Sequence, residues 1–225
     1  MLRQVLENLL IGHAGLPDPL PADPMPMLSA WLDEARTAAR QPNPNAMTLA
    51  SSTRDGKPSA RIVLCRGIDV ADASLTFFTN YESRKAGELD SNPRVAVIFH
   101  WDHADRQARV EGRAERTTPA ESDTYFQSRP LLSRLGSWAS DQSRPMERRL
   151  TLIERVLEAA ERFDIGPADL LDARGSQHVP RPAHWGGYRV RIDAVELWQG
   201  HAGRLHDRAR WDRAGVGWRS TRLFP

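Results

Sequence analysis

Residues 106–116, RQARVEGRAER, constrain what this chain can fold into more than any other stretch. Ala108, Val110, Gly112 and Ala114 alternate with polar residues, the period of a strand with one face buried and one face wet. Similar runs surround it. AMTLASST and SARIVLCRGI flank RDGKP, where Asp55-Gly56 is a hairpin signal. SLTFFTN and RVAVIFHW come before the alternating run, and GGYRVRIDAVELWQG, GRLHDRARWDR and GWRSTRLF end the chain. About eight strands, several joined by short turns, predict a mainly β fold: an antiparallel sheet closed as a barrel, with helices outside.

The helices have their own signals. Leu28, Trp31, Leu32 and Ala35 predict a helix over 27–40, after the Pro-rich GLPDPLPADPMPM. SRKAGELDSNP predicts a short helix opened by Ser83. Thr118-Pro119-Ala120-Glu121 is a capping box with Pro in the first turn, so a helix should run to Arg129, where Pro130 breaks it. PMERRLTLIERVLEAAERF predicts an amphipathic helix on Leu150, Ile153, Val156 and Leu157. DIGPADLLDARGSQHVPRP reads as an inserted loop. The first fifteen residues have an apolar patch interrupted by Glu7 and Asn8; they lack a signal-peptide core and read as a frayed or docking helix.

Composition narrows the function. At 225 residues and 40% hydrophobic content the chain suits one compact domain with a small appendage. No apolar run of about 18 residues is present, so no membrane-spanning helix is expected. Cys65 is the only cysteine, which excludes an internal disulfide or a Cys-based zinc site and fits a cytoplasmic setting. A net charge of +2 argues against a nucleic-acid binder, although every basic residue but Lys57 and Lys85 is arginine.

The familiar nucleotide and catalytic motifs are missing: no GxGxxG after a strand, no Walker loop, no HExxH and no GxSxG. His100 and His103 beside Asp102 and Asp105 read as a polar turn rather than a metal site. Cationic and hydroxyl donors near strand ends remain. Arg61 and Arg66 bracket RIVLCR. Thr79, Ser83, Arg84 and Lys85 sit at a strand-to-helix junction, an anion site or a solvated basic turn. Tyr125 and Arg129 share one helix face and Ser133 follows the break, so three donors can converge on one anion or simply decorate a surface helix. On a strand, Arg204, His206 and Arg208 would share a face bracketed by Trp198 and Trp211.

Taken in order, NAMTLAS, ARIVLCR, FFTNYESRKAGEL, NPRVAVIFHW, RQARVEG, YFQSRPLLSRLGSWASDQS, WGGYRV, ELWQG and RLHDR resemble the pyridoxamine 5′-phosphate oxidase family, from about Pro21 to the last residue. The resemblance implies an FMN-binding split β-barrel at 46–225, with its dimerisation strands, behind a Pro-rich arm and helix at 1–45. It implies a homodimer with FMN at the subunit interface. By the family pattern the flavin is held by Arg61, Ile62, Val63, Leu64, Cys65, Arg66, Phe78, Thr79, Arg84, Lys85, Gln107, Gln142, Ser143, Trp198 and Arg208. Arg66, Tyr125, Arg129 and Ser133 grip the substrate phosphate. Arg204 and His206 are the catalytic pair over the substrate ring.

The implied reaction is oxidation of pyridoxine or pyridoxamine 5′-phosphate to pyridoxal 5′-phosphate, with O2 reduced to hydrogen peroxide. Hydride transfer requires the substrate C4′ within about 3–3.5 Å of flavin N5. Four features depart from the family pattern: Arg66 where Lys is common, Phe78 where Tyr is common, an N-terminus unlike the basic substrate-closing arm, and a longer segment at 166–182. The arm, the longer segment and Arg66 motivate a second reading, a flavin oxidase of a dihydrophenazine-type ring. A non-catalytic flavin-binding protein is a third.

Overall fold

The computed structural model describes residues 15–171 and 177–225. The expectations for residues 1–14 and for the middle of the 166–182 segment lie outside the described residues. The described chain opens with α1 (Met25–Ala38), then β1 (Ala46–Ser52), β2 (Pro58–Leu64), β3 (Gly67–Asp69) and β4 (Ser74–Asn80). α2 (Arg84–Ser91) leads to β5 (Arg94–Trp101) and β6 (Arg106–Arg116). Then come α3 (Pro119–Gln127), α4 (Leu131–Ala139), α5 (Arg149–Arg162) and α6 (Pro167–Leu171). β7 (Trp185–Gln199), β8 (Asp207–Ala214) and β9 (Gly217–Leu223) end the chain.

All strand pairs are antiparallel, in the order β2-β1-β5-β6-β7-β4-β3, with β8 added to β7 and β9 to β8. The two ends of that order, β2 and β3, are consecutive in the chain. The run expected as one strand turns a corner at Cys65 and Arg66, which accounts for nine strands rather than eight. The corner is built by tertiary bonds: the Cys65 amide donates to Asn45 O at 2.9 Å and Asn45 Nδ2 donates to Cys65 O at 2.9 Å. The Arg66 amide then donates to Thr76 O on β4 at 2.8 Å. The sheet thereby curls into a barrel that stays open where β2 and β4 diverge.

β7 is the longest strand and serves two neighbourhoods. Its first half pairs with β4, its second half with β8, and β6 runs along both. The register shifts between Glu111 and Gly112, a bulge that bends the pair. Gly112 is needed there, because a Cβ would fall 2.1 Å from Arg191 O.

Leu49, Leu75, Phe77, Val97, Phe99, Val110, Val190 and Leu197 fill the barrel, and α1 covers it with Met25, Leu28, Trp31, Leu32 and Ala35. A second cluster gathers Phe126, Leu131, Leu135, Ala159, Ala160, Ile165, Val179 and Trp185 beneath α3, α4 and α5. The capping box of α3 forms as expected: the Glu121 amide donates to Thr118 Oγ1 and the Thr118 amide to Glu121 Oε2.

Two helical expectations need correction. Of the expected stripe on α5 Val156 packs against the cluster, beside Ala159 and Ala160, whereas Leu150, Ile153 and Leu157 are half-exposed. Small alanines let the helix approach the cluster closely on a different face from the Leu/Ile stripe. The segment read as a loop after residue 163 also contains the short helix α6.

Candidate active site

The opening between β2 and β4 is a cleft of about 260 Å³. β2 and the corner contribute Ile62, Val63, Leu64 and Arg66, and β4 contributes Phe78 and Thr79. Lys85 enters from α2, Tyr125 from α3, Arg129 and Gln142 from the segments flanking α4, and Trp185 from the start of β7. Cys65 is fully buried beside them in the barrel core, and burial pushes its thiol up to about 11.

One pole of the cleft is the Lys85 ammonium. It donates to Thr79 Oγ1 at 2.9 Å, Ser83 Oγ at 3.2 Å and Gln142 Oε1 at 2.5 Å. No carboxylate among the described residues pairs with it. Burial, with the nearby Arg61 charge, pulls its pKa from 10.5 down to about 8; Glu88 opposes that pull. Arg61 and Arg84 lie just behind, both bound to the buried Glu88 at 3.1 and 2.8 Å.

The other pole is aromatic and cationic. The Phe78 ring stacks on Tyr125 at 3.9 Å and on Trp185 at 5.5 Å. Arg129 lies over Trp185 at 4.5 Å, and Arg66 over Tyr125 at 5.6 Å. Neither guanidinium pairs with a carboxylate among the described residues. Arg129 instead donates to Ser137 Oγ at 2.7 Å, and burial, with Arg66 among its positive neighbours, pushes its pKa down. It sits past the end of α3 rather than on its face, in the turn before Pro130. Ser133 is one step away: Ser137 Oγ donates to Ser133 O at 3.0 Å.

The remaining expected residues are elsewhere. Gln107, Trp198 and Arg208 are direct partners across β6, β7 and β8, so their side chains share the outer face of the sheet. His206 packs on Trp198 at 4.6 Å. Trp185 and Trp198 are thirteen residues apart on β7, roughly 40 Å at a strand's rise of about 3.3 Å per residue. None of Gln107, Trp198, His206 and Arg208 lines the cleft. At about 260 Å³ the cleft also falls short of the roughly 300–1,000 Å³ usual for ligand pockets.

Three details correct the sequence reading. Of Arg204, His206 and Arg208 only Arg208 is on a strand, because β8 begins at Asp207 and Arg204 lies in a tight turn. Gly203 and Arg204 both have positive φ, 67° and 62°, which breaks the extended chain. Trp211 does not bracket the set; it is fully buried on the core face and donates to Pro21 O. Ser143, with φ 74°, lines a neighbouring hollow with Asp141 and Arg155 rather than the cleft.

Several residues here were not singled out from the sequence. Trp185 carries Arg129, Ser137 holds it, and Glu88 binds Arg61 and Arg84. On the outer face the buried Glu196 accepts from Arg208 at 2.8 Å and from Arg109 at 3.3 Å. The Arg84/Glu88 spacing of four residues in a helix was a readable signal. The links from Glu88 to β1 and β2 were not, since they depend on strand register.

Comparison with known proteins converges on this architecture. A family model described as pyridoxamine 5′-phosphate oxidase matches residues 32–162. A second, described as the pyridoxine 5′-phosphate oxidase C-terminal dimerisation region, matches residues 185–225, and it supports the expected homodimer. The pyridoxine/pyridoxamine 5′-phosphate oxidase of Bordetella pertussis is 51% identical over 91% of this chain and 90% of its own. That of Cupriavidus necator is 48% identical over 100% of this chain and 99% of its own. Among solved structures, PhzG from Burkholderia lata, in complex with tetrahydrophenazine-1-carboxylic acid, aligns with a TM-score of 0.81 at 29% identity, covering 92% of this chain and 95% of that one. With both halves of the chain matched and about half of its residues shared with full-length relatives, the chain belongs to the pyridoxamine 5′-phosphate oxidase family.

Proposed function

We propose that the protein is an FMN-dependent oxidase that converts pyridoxine 5′-phosphate or pyridoxamine 5′-phosphate to pyridoxal 5′-phosphate. O2 accepts the two electrons and leaves as hydrogen peroxide; with the amine, water is consumed and ammonia released. The observation that carries this reading is the distribution of unpaired charge. The cleft has two separate cationic poles, Lys85 at one end and, at the other, Arg66 and Arg129 set over aromatic rings. Two phosphate-bearing aromatic molecules, a flavin mononucleotide and a phosphorylated pyridine, match that pattern.

The donor set fits the flavin. Lys85, Arg61 and Arg84 would hold its phosphate, with Thr79 and Gln142 orienting Lys85. Ile62 to Leu64, at the end of the open edge strand, and the corner to Arg66 would lie along the ring system. When bound, FMN supplies the hydride-accepting ring and passes electrons on to O2. The protein's part is position and charge. Arg66, Tyr125, Arg129 and Ser133 would fix the substrate phosphate, which sets the distance of its reacting carbon. The planar Arg66, already over the Tyr125 ring, can stack there in a way that lysine cannot.

The site is completed by a second copy. Gln107, Trp198 and Arg208 of one protomer would close over the flavin held in the cleft of the other, placing FMN at the interface, with Arg204 and His206 over the substrate ring. A cytoplasmic setting belongs to the same reading: among the described residues no helix is long and apolar enough to cross a membrane, and the one cysteine is buried and free.

The test is anaerobic. Pyridoxine 5′-phosphate added to the FMN-loaded protein without oxygen should bleach the flavin, and air should restore the colour. A yellow dimer that does not bleach would refute the assignment. The match to PhzG favours one competing substrate class, a reduced phenazine carboxylate. Bleaching by such a ring, and not by the vitamer phosphates, would establish it.

A further inference from the structure

Glu88 is a buried carboxylate in an otherwise ordinary short helix. Its side chain is 4% exposed. It accepts from Ser51 Oγ at 2.6 Å, Ser59 Oγ at 2.5 Å, Arg84 Nε at 2.8 Å and Arg61 Nη2 at 3.1 Å. Ser51 and Ser59 face each other directly in the β1–β2 ladder. A buried carboxylate is costly unless its lone pairs are satisfied, and here four donors from three elements converge on it. Core packing does not require that expense, since α2 already docks through Ala86 and Leu89.

What Glu88 does is hold two arginines to one point. Arg61 comes from an edge strand and Arg84 from the first turn of α2. Left alone they would repel each other and the adjacent Lys85. With Glu88 between them the cluster has three cations and one carboxylate, an excess of two positive charges. That excess equals the charge of a phosphomonoester dianion and exceeds that of a phosphodiester.

We propose that Glu88 is the positioning residue of the flavin-phosphate subsite: it fixes Arg61 and Arg84 beside Lys85 and sets the cluster's charge to match a terminal phosphomonoester. The inference rests on the reading of the cleft as an FMN site. Glu88 does not touch the ligand; it acts through the two guanidinium groups. Its effect should therefore be confined to ligands that carry the phosphate.

Equilibrium binding of FMN and of riboflavin to the ligand-free protein, followed by quenching of flavin fluorescence, tests this directly. Wild type should prefer FMN strongly. Glu88→Gln should lower that preference by about tenfold or more, with riboflavin affinity unchanged. Adding Glu88→Gln to the Arg61→Gln/Arg84→Gln pair should cost little beyond that pair alone. A preserved FMN preference in Glu88→Gln, or equal losses for both flavins, would overturn the proposal. Should Glu88→Gln not fold, Glu88→Asp draws the carboxylate back from both guanidinium groups and should reduce the preference by about threefold; no reduction would also overturn it. If wild type itself binds both flavins equally, the FMN reading fails and the proposal falls with it.

Discussion

The cleft between β2 and β4 and the outer face of β6, β7 and β8 are both rich in arginine, yet their charge is balanced in opposite ways. On the outer face Arg208, Arg109 and Arg210 each have an acid. Arg208 and Arg109 share Glu196, and Arg210 is held by Glu111 and Asp212 at 2.9 Å each. In the cleft, Arg66, Lys85 and Arg129 have no carboxylate among the described residues, and Lys85 and Arg129 are buried enough for their pKa values to fall. A buried cation held only by neutral groups destabilises the chain until an anion arrives. On the proposed reading, the cleft receives anions and the outer face aims Arg208 and Trp198.

Replacing a cleft cation should hurt binding without hurting the fold, and the largest effect is expected at Arg129. Arg129→Leu should raise KM for the phosphorylated substrate about 10- to 100-fold, with a smaller change in kcat. Steady-state kinetics with unchanged KM would remove Arg129 from the phosphate site.

Lys85 gives a second test with a sign. With its pKa at about 8, the ammonium loses its charge as pH rises through that value, so FMN affinity should fall above pH 8. Lys85→Met should weaken FMN binding at pH 7 and flatten the pH profile. The same variant should melt higher when ligand-free, by about 1 kcal/mol, once the lost hydrogen bonds are set against the relieved burial of charge. A less stable Lys85→Met protein would break the contrast between the two regions.

The outer face should behave the other way. Glu196→Gln leaves Arg208 and Arg109 without their shared acid. Both are partly exposed, so the loss should be modest, about 1 kcal/mol after solvent screening, visible as a lower melting temperature. The smallest effect is expected at Phe78. Its ring is already stacked on two aromatics, and Phe78→Tyr should change stability by less than about 0.5 kcal/mol and leave turnover nearly unaltered.

The strands were legible because alternation reports burial on one face, as in β6, and the capping box of α3 formed as written. The corner at Cys65–Arg66 was not legible, because Asn45 and Thr76 impose it from distant positions. Nor was the turn at Arg204, where two successive residues with positive φ end what reads as a strand. The stripe on α5 misled because an apolar face is a preference for burial, and Ala159 and Ala160 met the cluster first. Most residues that line the cleft are ones the motif resemblance names. The division of the named residues between the cleft and the outer face of β6, β7 and β8 was not legible, since it depends on strand pairing and register.

That division is the central claim, and subunit complementation tests it most directly. Arg129→Leu disables the cleft and Arg204→Leu disables the set contributed across the interface. Each variant alone should show little activity at low substrate. If the dimers are dissociated and randomly reassociated, half become hybrids, and each hybrid has one site with both halves intact. The mixture should recover about a quarter of wild-type activity. A mixture no more active than the two variants alone would show that both residues act within one protomer, and would contradict the account.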